Sequence, residues 1–201
     1  EKADDIRSAS YFQDSEIEIV RENFPAHGIS HAIFDHDGTI SVLREGWEKI
    51  MEPVMVKAIL GDQYEDADES DYHKVLNRVH KFIDDTTGIQ TLVQMQGLVK
   101  LVREFGFVPE NQVLDEFGYK EIYNQALLEL VKERIGKLER GELNVDDFVI
   151  KGAVPVLNKF YQAGVKLYMA SGSDENDVIE EAKVLGYAEL FEGRIYGAVG
   201  D

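Results

Sequence analysis

The sequence of 201 residues contains no cysteine. It therefore forms no disulfide bonds, and it offers neither a thiolate nucleophile nor thiolate ligands for zinc. A chain without cysteine fits a reducing cytoplasm, where we expect the protein to reside. No secretory signal pattern opens the sequence, and because the first residue is Glu1 we expect either removal of the initiator methionine or an excerpt of a longer chain.

Basic residues and long apolar runs are also scarce. The chain has 21 Lys and Arg against 39 Asp and Glu, a formal net charge of −18. Such a charge repels phosphate backbones and anionic lipid surfaces, so we expect neither nucleic acid nor a membrane as a partner. No apolar stretch approaches the roughly 18 to 20 residues of a membrane-spanning helix. Small anionic substrates remain possible, provided that a metal ion or helix N-termini help to bind them.

The order of hydrophobic patterns predicts an interrupted α/β domain. Residues 1–28 form a polar leader, in which Ser15 is expected to begin a short helix that runs towards Asn23. An apolar strand follows, and helical spacing then persists over residues 44–141. We predict a Rossmann-like open parallel sheet built from residues 29–43 and 142–201, with residues 44–141 inserted as an α-helical cap.

Two carboxylates stand at the end of the first predicted strand, in the stretch "HAIFDHDGTIS". In an extended chain Asp35 and Asp37 point to the same side, whereas His36 points away. Two like charges so close lower stability unless a cation or a reaction uses them. Gly38 permits the tight turn that follows, and Thr39 offers a hydroxyl and a backbone N–H group.

A second polar stretch, "SGSD", follows the later apolar run "VKLYMA". A strand end that leads into a helix N-terminus binds anions, so Ser171, Gly172 and Ser173 are candidates for holding phosphate oxygens. The alternative is that Ser171 and Asp174 only cap the helix. Because ligands of open parallel sheets bind beyond the carboxyl ends of the strands, we expect both stretches to meet at one site.

These two stretches, in this order, resemble the first and second motifs of the haloacid dehalogenase-like superfamily. The resemblance covers about residues 29–201. The spacing of the two motifs, with a helical insertion between them, is similar to that of members whose cap follows the first motif. It implies a Mg²⁺-dependent phosphatase in which Asp35 is the nucleophile and forms an aspartyl-phosphate. Asp37 is then the acid and base, and the metal is held by Asp35 and by the backbone carbonyl of Asp37. The presence of Asp37 favours phosphoryl transfer over dehalogenation.

The third and fourth motifs of that superfamily are missing before the sequence stops at "GRIYGAVGD". These motifs are a Lys or Arg that neutralises the phosphate and an acidic pair that completes the metal site. Lys183 and Arg194 do not stand where the pattern needs the cation. The resemblance thus implies either that the working protein is longer or that this chain is inactive alone.

The predicted cap is expected to select the substrate, a small phosphorylated metabolite. Thr87, Gln90 and Thr91 in the polar loop "DDTTGIQT" are the candidate contacts, with helix capping by Thr86 or Thr87 as the alternative. Arg44 either reaches a substrate anion or covers apolar surface.

Three other functions compete with the phosphatase. A phosphomutase uses the same Asp pair and cap, and a binding or regulatory module could retain the fold without catalysis. A calcium loop of the EF-hand type also begins with two Asp residues, but Ile40 and Gly46 occupy the positions that need Gly and Glu.

Overall fold

The computed structural model describes residues 9–11, 13–20 and 28–199. The chain divides into two compact units, Glu1–Ser30 and His31–Asp201. The helices and strands of the second unit are, in order, β1 (His31–Phe34), α1 (Glu48–Leu60), α2 (Glu69–Thr86), α3 (Thr91–Phe105), α4 (Glu116–Glu139), α5 (Ala153–Gln162), β2 (Lys166–Asp174), α6 (Glu175–Val184) and β3 (Ile195–Ala198).

The described part of the first unit forms a turn rather than a helix. Tyr11 and Glu18 make an antiparallel bridge, and the N–H of Ile19 donates to the carbonyl of Ser10 at 2.7 Å. Residues 15–20 are extended or bent rather than helical, and Asp14, with a positive φ of 56°, turns the chain just before them. The helix predicted from Ser15 is therefore wrong up to residue 20, and its remainder lies outside the described residues.

The second unit is built on a three-stranded parallel sheet in the order β1-β2-β3. His31 is opposite Lys166, and Met169 is opposite Ile195. Leu167 and Met169 of β2 are fully buried in a core to which α5 and α6 also contribute. This architecture confirms the predicted fold class, an open parallel α/β sheet with an inserted helical cap.

The helical insertion has a hydrophobic core of its own. Met51, Met55 and Leu98 are fully buried in it. Helix α4 belongs to both cores, because Leu127 packs in the insertion whereas Val131 packs against the sheet region. The helical character predicted between the two sheet segments is confirmed, although the exact domain boundaries stay a prediction. Within the described ranges, no helix is both long and apolar enough to cross a bilayer.

The three parallel strands bring the predicted site residues to one edge of the sheet. Asp35 follows β1 directly, and the pairing of β2 with β3 becomes irregular between Ala170 and Asp174. That irregularity frees the backbone of Ser171, Gly172 and Ser173 from the regular ladder. Two stretches separated by more than a hundred residues in the sequence therefore open on the same space.

Replacing Gly197 in β3 with alanine is expected to destabilise the protein by about 1–3 kcal/mol. A Cβ at Gly197 would lie 2.5 Å from Cα and N of Glu175 and 2.6 Å from the carbonyl oxygen of Ser173, so backbone would have to move. Gly136→Ala in α4 is the control, because its Cβ meets only the mobile end of Arg140. The control should gain roughly 0.5–1 kcal/mol from lost chain entropy. Urea unfolding measures both, and equal stability of the two variants would contradict the close approach.

Candidate active site

The two polar stretches meet at a cavity of about 210 Å³ between the sheet edge and the helical insertion. Its sheet side is formed by Asp35, Asp37, Ser171, Gly172, Ser173 and Asp174. The structure thus brings together both carboxylates and the whole second stretch, as the strand-end rule predicts. Gly38 and Thr39 are not among the described residues that line the cavity.

The two aspartates have different surroundings. Asp35 is exposed, and its Oδ2 accepts a hydrogen bond from Thr39 Oγ1 at 3.3 Å. Asp37 is half-buried, and its Oδ2 accepts from Ser173 Oγ at 2.9 Å and from Ser171 Oγ at 3.3 Å. The second stretch therefore fixes Asp37, whereas Asp35 keeps an accessible carboxylate.

His36 points away from the cavity, as the alternation along the chain predicts. It is fully buried, and its Nε2 lies 2.8 Å from the hydroxyl of Tyr187. After it, Gly38 adopts a positive φ of 73°, and its N–H donates to the carbonyl of Ser41 at 2.8 Å. This turn reverses the chain directly after Asp37 and directs it towards the insertion.

The pKa of Asp37 is lowered from its usual value. Burial acts to raise this pKa, but the contact with His36, the charge of Arg44 and the hydrogen bond from Ser173 together outweigh burial. Its Oδ1 accepts no hydrogen bond from the described residues, with His36 Nδ1 at 3.4 Å and Arg44 Nε at 3.9 Å. Asp37 is therefore a carboxylate at neutral pH in the free site.

Arg44 lines the cavity from the segment that leads into α1, but it is bound to a carboxylate of the sheet domain. It is buried, and its Nε and Nη2 donate to Glu181 Oε1 at 2.9 and 2.6 Å. Asp177 Oδ2 lies 3.7 Å from Nη2. The pair with Glu181 was not predicted, since nothing in the sequence links positions 137 residues apart; a contact of Arg44 with substrate stays a prediction.

Removing this guanidinium should cost far more stability than removing a surface one. Arg44→Met leaves Glu181 buried beside Asp37 and Asp177, so we expect a loss of about 3–5 kcal/mol at neutral pH. Arg103→Met, which removes an exposed pair with Glu110, should cost about 1 kcal/mol or less. Urea unfolding of both variants makes the comparison.

The pH dependence of that loss follows from Glu181. Burial raises the pKa of Glu181 although Arg44 opposes the rise, and removal of Arg44 raises it further. A folded-state pKa above the unfolded one destabilises the fold as pH rises through it. The loss in Arg44→Met should thus shrink in mildly acidic solution, and a loss that is constant with pH would contradict this account.

The structure places two of the three predicted substrate contacts of the insertion at the cavity. Thr87 and Thr91 line the cavity, whereas Gln90 is not among its described lining residues. Gln90 precedes α3 and packs by its backbone near Gly172, where a Cβ would lie 3.5 Å from Gln90 Cα. Thr87 Oγ1 donates to the carbonyl of Ile83 at 2.9 Å in the last turn of α2, which fits the alternative structural role.

Several lining residues were not predicted. They are Trp47, Gly88, Ile89, Gln94, Tyr123, Asn124, Leu127 and Asp174. Tyr123 and Leu127 are four residues apart and lie on one face of α4, and apolar spacing of this kind indicates a packed face rather than a cavity wall. Burial raises the pKa of Tyr123 well above its usual value, so this residue stays an uncharged phenol.

Asp174 joins the sheet domain to the insertion instead of capping α6. Its carboxylate makes no cap hydrogen bond; it accepts from Lys120 Nζ and, at 2.8 Å, from Asn124 Nδ2 of α4. The capping alternative for Asp174 is therefore wrong. The two donors lie about one helical turn apart, which allows both to reach the same carboxylate.

The donor set at the sheet edge suits Mg²⁺, which prefers carboxylate and carbonyl oxygens. Asp35 offers an accessible carboxylate, and the cavity carries a surplus of negative charge. A trio among the described residues, the buried His36 and Glu181 with the half-buried Asp37, also has potential ligand atoms within 4.8 Å of one another. Because Arg44 already neutralises that trio through Glu181, Mg²⁺ fits better at Asp35 than at the trio.

Lys183 and Arg194, the two cations considered for the missing third motif, are held by other partners away from the cavity. Lys183 pairs with Glu180 at 2.7 Å on an exposed face of α6. Arg194 donates to the carbonyl of Leu167 at 2.9 Å and pairs with Glu192 at 2.8 Å. Neither residue lines the cavity among the described residues, in agreement with their positions in the sequence.

A family model described as haloacid dehalogenase-like hydrolase matches residues 29–200. A solved structure from Lactobacillus delbrueckii subsp. bulgaricus, provisionally named phosphoglycolate phosphatase, is 18% identical with a TM-score of 0.39 over 85% of this chain. A HAD family hydrolase from Deinococcus radiodurans with bound phosphate and sodium is 17% identical with a TM-score of 0.36 over 84%. The matched parts are 65% and 58% of those chains, and no curated protein matches significantly.

Proposed function

Because the chain belongs to the haloacid dehalogenase-like hydrolases, as the match over residues 29–200 shows, we propose that it is a cytoplasmic, Mg²⁺-dependent phosphatase. It hydrolyses the monoester of a small phosphorylated metabolite through an aspartyl-phosphate on Asp35. One observation carries the proposal: an accessible Asp35 shares a cavity with Asp37 and with both serines of the second stretch. Nucleophile, proton carrier and phosphate-binding groups are thereby within one small volume.

In the first step, a carboxylate oxygen of Asp35 attacks phosphorus, and the bond between phosphorus and the ester oxygen breaks. The leaving oxygen takes a proton from Asp37 and departs as the alcohol. Asp37 is ionised in the free site, and an anionic ester bound beside it raises its pKa, so it takes up its proton with the substrate. The hydroxyls of Ser171 and Ser173 keep this carboxyl aimed at the cavity.

In the second step, water attacks the phosphorus of the aspartyl-phosphate, and Asp37 accepts the proton of that water. The bond between phosphorus and the Asp35 oxygen breaks, which releases inorganic phosphate and restores the Asp35 carboxylate, while Asp37 keeps the proton of the water until it passes it to solvent. The lowered pKa of Asp37 keeps it available as a base once the alcohol has left.

Asp35 and the backbone carbonyl of Asp37 are the groups that would hold Mg²⁺. The ion supplies charge neutralisation between the nucleophilic carboxylate and the phosphate. The chain's own contribution is to hold Asp37 in place and to close the sheet edge with the insertion, which limits the access of bulk water.

The cavity supports a phosphatase over a phosphomutase. A mutase must hold phosphate at either end of its substrate, and 210 Å³ with one guanidinium committed to Glu181 leaves little room or charge for a second one. A non-catalytic module has no use for an accessible Asp35, which adds repulsion without a structural partner beyond Thr39.

Hydrolysis of an aryl phosphate by the full-length natural protein tests the proposal. We expect phosphate release that depends on Mg²⁺, stops with a chelator and returns when Mg²⁺ is restored. Interconversion of sugar phosphates without release of inorganic phosphate would instead indicate the mutase. Absence of either reaction at any Mg²⁺ concentration would favour the binding module.

A further inference from the structure

We propose that the substrate is the phosphate ester of a small, uncharged, hydroxyl-bearing alcohol, and that the cavity rejects esters whose alcohol part carries a carboxylate. This inference rests on the proposed function and deepens it. Asp174 is the residue that excludes the carboxylate, and Gln94 is the residue that accepts a hydrogen bond from a substrate hydroxyl.

The charges around the cavity disfavour a second anionic group. Arg44 is the sole cationic residue among the described residues that line it, and two of its nitrogens donate to Glu181. Lys120 is bound to Asp174, which itself lines the cavity. A substrate carboxylate beside Asp174 would therefore meet an acceptor-only group whose partners, Lys120 and Asn124, are already engaged, with no uncommitted cation among these residues. Such an arrangement costs binding energy.

Gln94 lines the cavity with its amide nitrogen committed to the protein. It is buried and lines the cavity, and its Nε2 donates to the carbonyl oxygen and to Oγ1 of Thr86, both at 3.2 Å. With the amide nitrogen committed, Oε1 is the group that Gln94 offers to a substrate. An acceptor oxygen binds a hydroxyl and repels a carboxylate, so it selects in the same sense as Asp174.

The remaining walls of the insertion side limit size. Trp47, Ile89 and Leu127 provide apolar surface there, and Tyr123 stays uncharged. The volume of 210 Å³ equals that of about seven molecules of liquid water. A phosphate with a short alcohol fills such a space, whereas a nucleoside monophosphate would extend out of it.

A matched pair of esters tests the inference. Glycerol 3-phosphate and 3-phosphoglycerate differ in one terminal group, which is a hydroxymethyl in the first and a carboxylate in the second. We expect kcat/KM of the full-length protein to favour glycerol 3-phosphate by about a hundredfold. Binding is read separately from the emission of Trp47, the single tryptophan of the sequence, which lines the cavity. The Asp35→Asn variant with Mg²⁺ present serves for this titration, because it holds the ester without cleaving it.

Two substitutions identify the residues responsible. Asp174→Asn should reduce the preference over 3-phosphoglycerate to about tenfold or less, whereas Asp84→Asn, an equal change of charge at an exposed position of α2, should leave it intact. Gln94→Leu should abolish the preference for glycerol 3-phosphate over propyl phosphate, which lacks the hydroxyls. Each variant is judged by a ratio between two ligands, so a general loss of stability or activity cancels.

The outcomes separate this inference from the proposed function. Equal binding of the two esters, tighter binding of 3-phosphoglycerate or no emission change with either overturns the inference, even where the protein hydrolyses phosphate esters. A preserved preference in the Trp47 titration without any hydrolysis supports the inference as a binding property and contradicts the proposed catalysis.

Discussion

Replacing Asp35 with asparagine is expected to lower phosphatase turnover by about 10⁴-fold or more and to leave no phosphoenzyme. The amide oxygen is a far weaker nucleophile than the carboxylate, and the side chain keeps its size and its hydrogen bond with Thr39. Because Asp35 is exposed and lines the cavity, the substitution should leave the fold unchanged. Rapid quenching of the full-length protein with an aryl phosphate, followed by mass spectrometry of the peptide that contains residue 35, measures both quantities.

Asp84→Asn provides the matched control for Asp35→Asn, since it makes the same change at an exposed position far along α2. It should keep normal turnover and a normal amount of phosphoenzyme. Phosphate on Asp37 or Ser171, or normal turnover in Asp35→Asn, would show that Asp35 is not the nucleophile.

The sheet side of the site could be predicted from the sequence because local rules determine it. An apolar strand that ends in Asp35, and a second that ends in Ser171, must open on the same edge if the strands are parallel. The structure joins these stretches through hydrogen bonds of Ser171 and Ser173 with Asp37. The alternation of side chains along a strand and the position where the strand ends are therefore enough to predict most of the sheet side of the site.

The insertion side could not be predicted in the same way, because its contacts depend on how helices pack. Arg44 meets Glu181 and Lys120 meets Asp174 only after the insertion has docked on the sheet. Gln90 stands between two lining residues, Ile89 and Thr91, yet it contributes backbone near Gly172 rather than cavity surface. Gln94, one helical turn after Gln90, does line the cavity.

The first unit shows a further limit of prediction from the sequence, which concerns short segments. Ser15, Ile17 and Ile19 match a helix start over a window too short to distinguish it from a turn with extended flanks. Ser15 Oγ accepts from the N–H of Ile17 at 3.2 Å, and such side-chain bonds compete with the first turn of a helix. The positive φ of Asp14 then favours the turn.

Replacing Asp37 with asparagine is expected to impair both chemical steps, each by roughly 10²- to 10⁴-fold, while the fold remains intact. Asparagine preserves an acceptor for Ser171 and Ser173, but it neither gives a proton to the alcohol nor takes one from water. The lowered pKa of Asp37 favours its role as a base, so the second step should depend on it most. With an aryl phosphate, whose leaving group needs little protonation, only that second loss should limit turnover.

Phosphoenzyme should therefore accumulate in Asp37→Asn with the aryl phosphate and stay scarce with an alkyl phosphate, whose departure needs the missing proton. Rapid quenching with both esters distinguishes the two steps, and Ser173→Ala serves as the comparison, because it removes one hydrogen bond to Asp37 but retains the carboxyl group. Ser173→Ala should slow both esters by a similar, smaller factor and accumulate little phosphoenzyme. If Asp37→Asn slows both esters equally and accumulates none, Asp37 positions the substrate and another group carries the protons.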